Sequence, residues 1–204
     1  AWLAAQGVGP GDRVAIAMRN YPEWMLAYWA TVSIGATAVG MNAWWTGPEM
    51  VYGLQDASPR VLIADQQRLE TLEPHRSEVG DFITVGVRTE GAGSNDQVDW
   101  SELKAAPAEM PEVEIDPDSD ACIFYTSGTT GRPKGAQLTH RGCTNNIMGV
   151  AFGGLAFASA SRLAQGTEQE TPPGPPRSLS ALVVTPLFHV TANNCVAHAA
   201  TLAG

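Results

Sequence analysis

Two hydrophobic periods alternate over the first 87 residues. Arg13-Val14-Ala15-Ile16-Ala17-Met18 is a short apolar run after the turn Gly9-Pro10-Gly11-Asp12, which predicts a strand. Pro22 then stands at a first-turn position ahead of Trp24, Leu26, Tyr28 and Trp29, predicting a helix to about Ile34. By the same criteria residues 36–41, 60–64 and 82–85 read as strands, and 48–55 and 66–72 as helices. Residues 1–6 read as the last turns of a helix stopped by Gly7, and the chain is expected to be a piece of a longer protein. Strands alternating with helices of this size predict an α/β fold: βα units on largely parallel sheets with flanking helices.

The alternation lapses over residues 88–120, which hold Gly, Ser, Asn, Asp and Pro around one short amphipathic piece at 98–105. It resumes with a predicted strand at 121–125, a polar Gly-rich loop, a second strand at 136–138 and a long helix from about 139 to 160. Residues 165–177, with Pro172-Pro173-Gly174-Pro175-Pro176, predict a stiff extended loop. A strand at 179–184 and a helix at 191–202 complete the pattern. The expected organisation is therefore a first α/β portion at 1–87, a connecting segment at 88–120 and a second α/β portion at 121–204.

Charge sharpens this division. The 204 residues carry 12 basic and 21 acidic side chains, a formal charge of −9. Residues 61–120 hold 15 acids against four bases, a net of −11, whereas 121–204 hold two acids against five bases, a net of +3. The acidic balance argues against a nucleic-acid surface, which needs clustered Lys and Arg. The basic excess falls where an anion could be bound. Uncharged stretches at 24–48, 142–161 and 178–204 are each interrupted by Gly, Asn, Ser, Thr or Pro, so no transmembrane segment is expected. Cys122, Cys143 and Cys195 show no C-x-x-C spacing, which favours a reducing compartment, the cytoplasm by default. Cys143 and Cys195 lie in apolar helical stretches and are expected in the core, as are Trp24, Trp29, Trp44 and Trp45.

The chemistry concentrates in Tyr125-Thr126-Ser127-Gly128-Thr129-Thr130-Gly131-Arg132-Pro133-Lys134-Gly135. Glycines let backbone N–H groups approach a ligand, hydroxyls add donors, and Lys134 supplies a compact charge, so the stretch reads as a polyanion cradle. It is not a Walker A loop, because Pro133 stands where the second Gly would be needed. A mobile loop without chemistry is the alternative reading of the same residues. Asp116-x-Asp118-x-Asp120 imitates the start of an EF-hand loop, but Ala121 and Ser127 occupy the positions that need Gly and Glu. His75, His140, His189 and His198 have no metal-ligand spacing.

The stretch from Tyr125 to Gly135 resembles the signature loop of the adenylate-forming superfamily of AMP-binding enzymes. Thr185-Pro186-Leu187-Phe188-His189-Val190 resembles that family's next motif, and Gly11-Asp12-Arg13-Val14-Ala15-Ile16, Asn20-Tyr21-Pro22-Glu23 and Ser33-Ile34-Gly35-Ala36 follow its pattern upstream. The long, Pro-rich 161–178 segment is similar to an insert of bacterial fatty acyl-CoA synthetases. The resemblance implies part of a large N-terminal domain. It further implies that Thr126, Ser127, Gly128, Thr129, Thr130 and Gly131 surround the β- and γ-phosphates of ATP, that Thr126 helps to hold Mg2+, and that Lys134 offsets charge on the departing pyrophosphate. His189 would sit where the acyl group meets the thiol of CoA, with residues 191–197 lining the acid pocket. A structural histidine at a strand end is the alternative for His189.

The implied parent is an ATP-dependent carboxylic acid:CoA ligase acting on a fatty acid. The alternatives are an adenylation domain that loads a carrier protein and a non-catalytic phosphate-binding or folding module. Family motifs beyond His189 are absent from the 204 residues, so the chain alone is expected to be inactive and prone to self-association.

Overall fold

A computed structural model describes residues 1–90, 97–105, 109–126, 131–166 and 180–203. After a short helix α1 (Trp2–Ala5), Gly7 turns the chain with φ +76° into β1 (Arg13–Ala17). There follow α2 (Pro22–Val32), β2 (Thr37–Gly40), α3 (Gly47–Ala57), β3 (Val61–Asp65) and α4 (Gln66–Leu72), then a 3-10 turn (Glu73–Glu78) and β4 (Ile83–Val87). The local signals act as anticipated. Pro22 opens α2, while Thr46 and Glu49 form a reciprocal capping box on α3, with Glu49 accepting from the Thr46 N–H at 2.8 Å. Those hydrogen bonds hold the Glu49 carboxyl below its usual range.

The amphipathic piece predicted at 98–105 divides into a short strand β5 (Gln97–Asp99) and a helix α5 (Trp100–Ala105). The chain then returns through β6 (Asp120–Thr126) and β7 (Lys134–Thr139) to α6 (His140–Ala164). Seven strands form one sheet in the order β5-β4-β3-β1-β2-β6-β7. All neighbours are parallel except the antiparallel pair β6–β7. The sheet thus crosses the 88–120 segment without a break: β6 pairs with β2 in the register Val39↔Ile123, and β5 lies at the far edge.

Alternation along the strands builds a core on both faces of the sheet. Val14, Ile16, Val61, Ile63 and Phe124 pack with Trp24 and Tyr28 of α2 on one face. Ala15, Val39, Leu62 and Ile123 pack with Met50 and Leu54 of α3 on the other. Asp65 ends β3 and caps α4 by accepting from the Arg68 N–H at 3.1 Å. Its carboxylate also takes the Arg68 guanidinium at 2.9 and 2.7 Å, a buried pair in which each charge is met by the other.

The C-terminal quarter departs from expectation. Residues 180–184, predicted as strand, are irregular, and Leu182 is 84% exposed. An apolar run becomes a strand only where its hydrogen bonds are accepted by a neighbouring strand, and this run pairs with none of the seven described strands. The helix expected at 191–202 opens as a π-helical turn (Thr191–Ala197) before α7 (His198–Ala203). Cys195 and Trp44 are exposed, against the expectation of core positions, whereas Cys143 is buried. Helix α6 runs unbroken through Gly149, Gly153 and Gly154, so the interruptions read at 142–161 do not divide it. It is long and apolar enough to cross a membrane by length and composition alone. Apart from Cys143 it is not buried by the rest of the described chain, and a single helix that meets this test assigns no membrane role by itself.

Candidate functional site

In parallel sheets, ligands gather outside the carboxyl ends of the strands. Here β1 leads to Arg19 and Asn20, β2 to Asn42 and Trp44, and β6 ends at Thr126. The β1 loop is fixed from β3, because the Arg19 N–H donates to the Asp65 carboxylate at 3.1 Å.

Beyond Thr126 the chain forms the hairpin that joins β6 to β7. Ser127, Gly128, Thr129 and Thr130 lie outside the described residues. The two ends of the loop are well defined. Thr126 pairs with Lys134 in the antiparallel register, and its hydroxyl donates to the Lys134 carbonyl at 3.4 Å. Gly131 has φ +93°, a conformation that disfavours any side chain, and open space surrounds the position of its missing Cβ. Lys134 is exposed and forms no ion pair with any described residue.

Helix α3 braces this hairpin. The Tyr52 hydroxyl donates to the Pro133 carbonyl at 3.0 Å, and the Arg132 guanidinium lies 5.4 Å from the Tyr52 ring centre. The Tyr125 hydroxyl donates to Asp56 at 2.7 Å, and burial together with that carboxylate pushes its pKa up, keeping it protonated. At Gly135, a Cβ would come within 2.9 Å of the Ile123 side chain on β6, which would have to shift to admit it. A cavity of about 340 Å³ opens beside the hairpin, walled by Trp44, Trp45, Tyr125, Thr126 and Gly131.

Trp44 also faces a second cavity of about 320 Å³, shared with Arg19, Asn20, Pro186 and Phe188. Its ring meets Phe188 edge-on at 5.1 Å and lies 5.7 Å from the Arg19 guanidinium. This 59% exposed tryptophan therefore connects the hairpin carrying Thr126 and Lys134 to the segment carrying His189. His189 is exposed, and its Nδ1 accepts from the Thr191 N–H at 3.2 Å. That bond assigns Nδ1 as acceptor, so the neutral ring carries its proton on Nε2, the nitrogen left for a ligand.

The π turn behind His189 is tied into the core. Asn146 of α6 donates to the Asn194 carbonyl at 3.0 Å, and Asn194 donates to the Cys143 sulfur at 3.3 Å. His198 is buried against the rings of Tyr28 and Trp29, and desolvation lowers its pKa to about 4. Of residues 191–197, expected to line an acid pocket, Ala192, Asn193, Asn194 and Ala197 are buried while Thr191 and Cys195 are exposed.

The structure thus brings Thr126, Gly131 and Lys134 together and sets His189 on an adjacent segment without direct contact to them. Arg19, Asn20, Trp44, Tyr52 and Asp56 escaped the sequence reading as site residues. Of these, only Asn20 had a signal, through the Asn20-Tyr21-Pro22-Glu23 pattern. No group of three His, Cys, Asp or Glu side chains suited to a metal occurs among the described residues. A Mg2+ arriving on phosphate oxygens needs only one or two protein oxygens, and the exposed Thr126 hydroxyl fits that lesser role.

A mostly parallel seven-stranded sheet with helices on both faces and a hairpin at the carboxyl end of β6 defines an α/β architecture. Residues 1–204 match the AMP-binding enzyme family, and the chain belongs to it. It is 34% identical over 190 residues to feruloyl-CoA synthase from Amycolatopsis, a match covering 93% of this chain and 32% of that protein. With long-chain-fatty-acid–CoA ligase FadD13 of Mycobacterium tuberculosis it shares 34% identity over 138 residues, covering 68% of this chain and 26% of that one. The inhibitor-bound crystal structure of the N-terminal domain of FACL13 from the same organism superposes with a TM-score of 0.65 at 26% identity, covering 98% of this chain and 44% of that chain. The chain spans about a third of the length of the curated relatives it matches.

Proposed function

We propose that this chain supplies the triphosphate-binding hairpin and the start of the acyl site of an ATP-dependent carboxylic acid:CoA ligase. The observation that carries the reading is the β6–β7 hairpin, in which Thr126 stands opposite an exposed Lys134 and Gly131 takes a left-handed backbone. In the first step a carboxylate oxygen attacks the α-phosphorus of ATP, the bond to the β-phosphate bridging oxygen breaks, and pyrophosphate departs. Anion meets anion in that attack, so charge on the triphosphate must be offset first. Lys134 offers a point charge at the hairpin end, and the backbone donors and hydroxyls of 126–131 hold the phosphates. Mg2+, if bound with the nucleotide, would add positive charge against the triphosphate, and the Thr126 hydroxyl would be one protein contact for it.

In the second step the CoA thiolate attacks the acyl carbonyl of the adenylate, and AMP leaves. His189 lies one segment away from the hairpin and carries its proton on Nε2, which suits a donor beside the acyl group. The names of the two relatives above span feruloyl and long-chain fatty acyl groups. The Pro-rich 161–178 insert supports the fatty acid. CoA is the proposed acceptor because both relatives are CoA enzymes by name.

The test is acid-dependent exchange of labelled pyrophosphate into ATP by the full-length protein, with fatty and hydroxylated aromatic acids in parallel. Lys134→Ala is expected to slow exchange 10²- to 10³-fold, about 3–4 kcal/mol, without lowering thermal stability. Near-parental exchange in that variant removes Lys134 from the site. The 204-residue chain alone is expected to show no exchange above a no-protein control.

A further inference from the structure

The segment carrying His189 has no strand of its own to hold it, since residues 180–184 are irregular. Something must nevertheless set its position, because Leu187 and Phe188 are buried while His189, the next residue, is exposed. The support comes from the opposite end of the chain. The Asn20 side-chain amide donates from Nδ2 to the Thr185 carbonyl at 2.9 Å, and its Oδ1 accepts from the Leu187 N–H at 2.8 Å. One planar side chain therefore satisfies a backbone acceptor and a backbone donor two residues apart, imitating the rung of a sheet that the segment lacks.

Asn20 is itself well anchored. It follows β1, and the preceding residue is tied to the buried Asp65–Arg68 pair through the Arg19 N–H. Two further contacts limit where the segment can go. A Cβ on Gly40, the last residue of β2, would come within 3.2 Å of the Phe188 carbonyl oxygen, and the Trp44 ring abuts Phe188. These contacts constrain Phe188 from one side but say nothing about sliding or peeling of residues 185–187. The Asn20 pair of bonds restrains that motion.

We propose that Asn20 is a positioning residue: by clamping the backbone of Thr185 and Leu187 it sets the reach and orientation of His189 without touching substrate. The part of this inference that concerns catalysis rests on the proposed ligase reading, and the part that concerns the clamp does not. Asn20→Ala removes both bonds. Asn20→Asp keeps an acceptor for the Leu187 N–H but loses the donor to Thr185, and its charge disfavours the Thr185 carbonyl.

The experiment has two readouts on the intact protein. Hydrogen exchange at the Leu187 amide is expected to accelerate about tenfold or more in Asn20→Ala, with the amides of β1 and β3 unchanged, and to stay within about threefold of the parent in Asn20→Asp. In steady-state assays, Asn20→Ala is expected to lower thioester formation at least fivefold more than pyrophosphate exchange, with Asn20→Asp intermediate. Unchanged Leu187 exchange in Asn20→Ala overturns the clamp. Accelerated Leu187 exchange with equal losses in both half-reactions, or with a matching acceleration at β1, overturns the positioning role and leaves Asn20 as a stability residue. If the parent forms no adenylate with any acid, the ligase reading fails, and Leu187 exchange alone decides the clamp.

Discussion

The half of the sheet built from β1, β2 and β3 and the described part of the segment running from α6 to α7 both carry large apolar side chains, yet they use them in opposite ways. Val14, Ile16, Val39, Leu62 and Ile63 are essentially inaccessible, covered from both faces by α2 and α3. In α6, Phe152 is 74% and Phe157 76% exposed, and Cys143 is its only buried residue among those described. Hydrophobicity specifies that a surface is costly to leave in water; what covers it is supplied by other parts of the chain. The first region is a closed scaffold. The second carries His189 and depends on the scaffold through Asn20 and Trp44.

The largest expected effect falls on the scaffold. Trp24 is buried and stacked on Tyr28 with ring centres 5.6 Å apart. Trp24→Ala should cost about 3–5 kcal/mol of stability in urea titration, as for other large-to-small core changes. A loss below about 1 kcal/mol would mean that the two regions do not differ as their burial indicates.

A smaller effect is expected where the regions meet, at His198. Its pKa is lowered to about 4 in the folded protein, against about 6.5 for an unperturbed histidine. The unfolded chain therefore binds more protons between those values, so the contribution is intact above about pH 6.5 and is lost as pH falls towards 4. Up to about 3 kcal/mol should disappear over that window. Burial lowers the His140 pKa as well and adds with the same sign. His198→Gln should flatten the profile of melting temperature against pH, and an unchanged profile would remove His198 as its source.

His189 sharpens the comparison at the level of function. His189→Ala in the full-length protein should reduce thioester formation more than pyrophosphate exchange, by at least about tenfold, or about 1.4 kcal/mol. Equal losses accompanied by a lower melting temperature would return His189 to the structural role. The smallest effect concerns α6. Phe152→Ser with Phe157→Ser should change monomer stability by less than about 0.5 kcal/mol each, while reducing self-association of the 204-residue chain in sedimentation. A large loss of stability would show that this face of α6 is packed rather than exposed.

Much of the scaffold was legible in advance. Strands at 13–17, 61–65 and 83–87 and helices from Pro22 and at Gln66–Leu72 follow from run length, turn residues and caps, all of which act within a few residues. Thr126, Gly131 and Lys134 drew attention because glycines, hydroxyls and a cation crowd into one loop, and His189 through its resemblance to a family motif; the structure sets the first three on one hairpin and His189 on a separate segment. Tyr52, Asp56 and Trp44 were not legible: each acts on a residue far along the chain, as Tyr52 does on Pro133 and Tyr125 on Asp56. Residues 180–184 misled for a related reason. Their composition suits a strand, yet they pair with none of the seven described strands, a choice that composition does not encode.

By itself, then, the sequence determined the βα alternation, the two-sided burial of the inner strands and the chemical character of the 126–134 loop, because these depend on local backbone preferences and side-chain type. Tertiary structure alone decided that β6 joins β2 in the same sheet, that Asn20 reaches Thr185 and Leu187, and that Trp44 stands exposed between two cavities. Those outcomes turn on which surfaces meet between distant parts of the chain, and that choice is made by the free energy of the whole packed sheet.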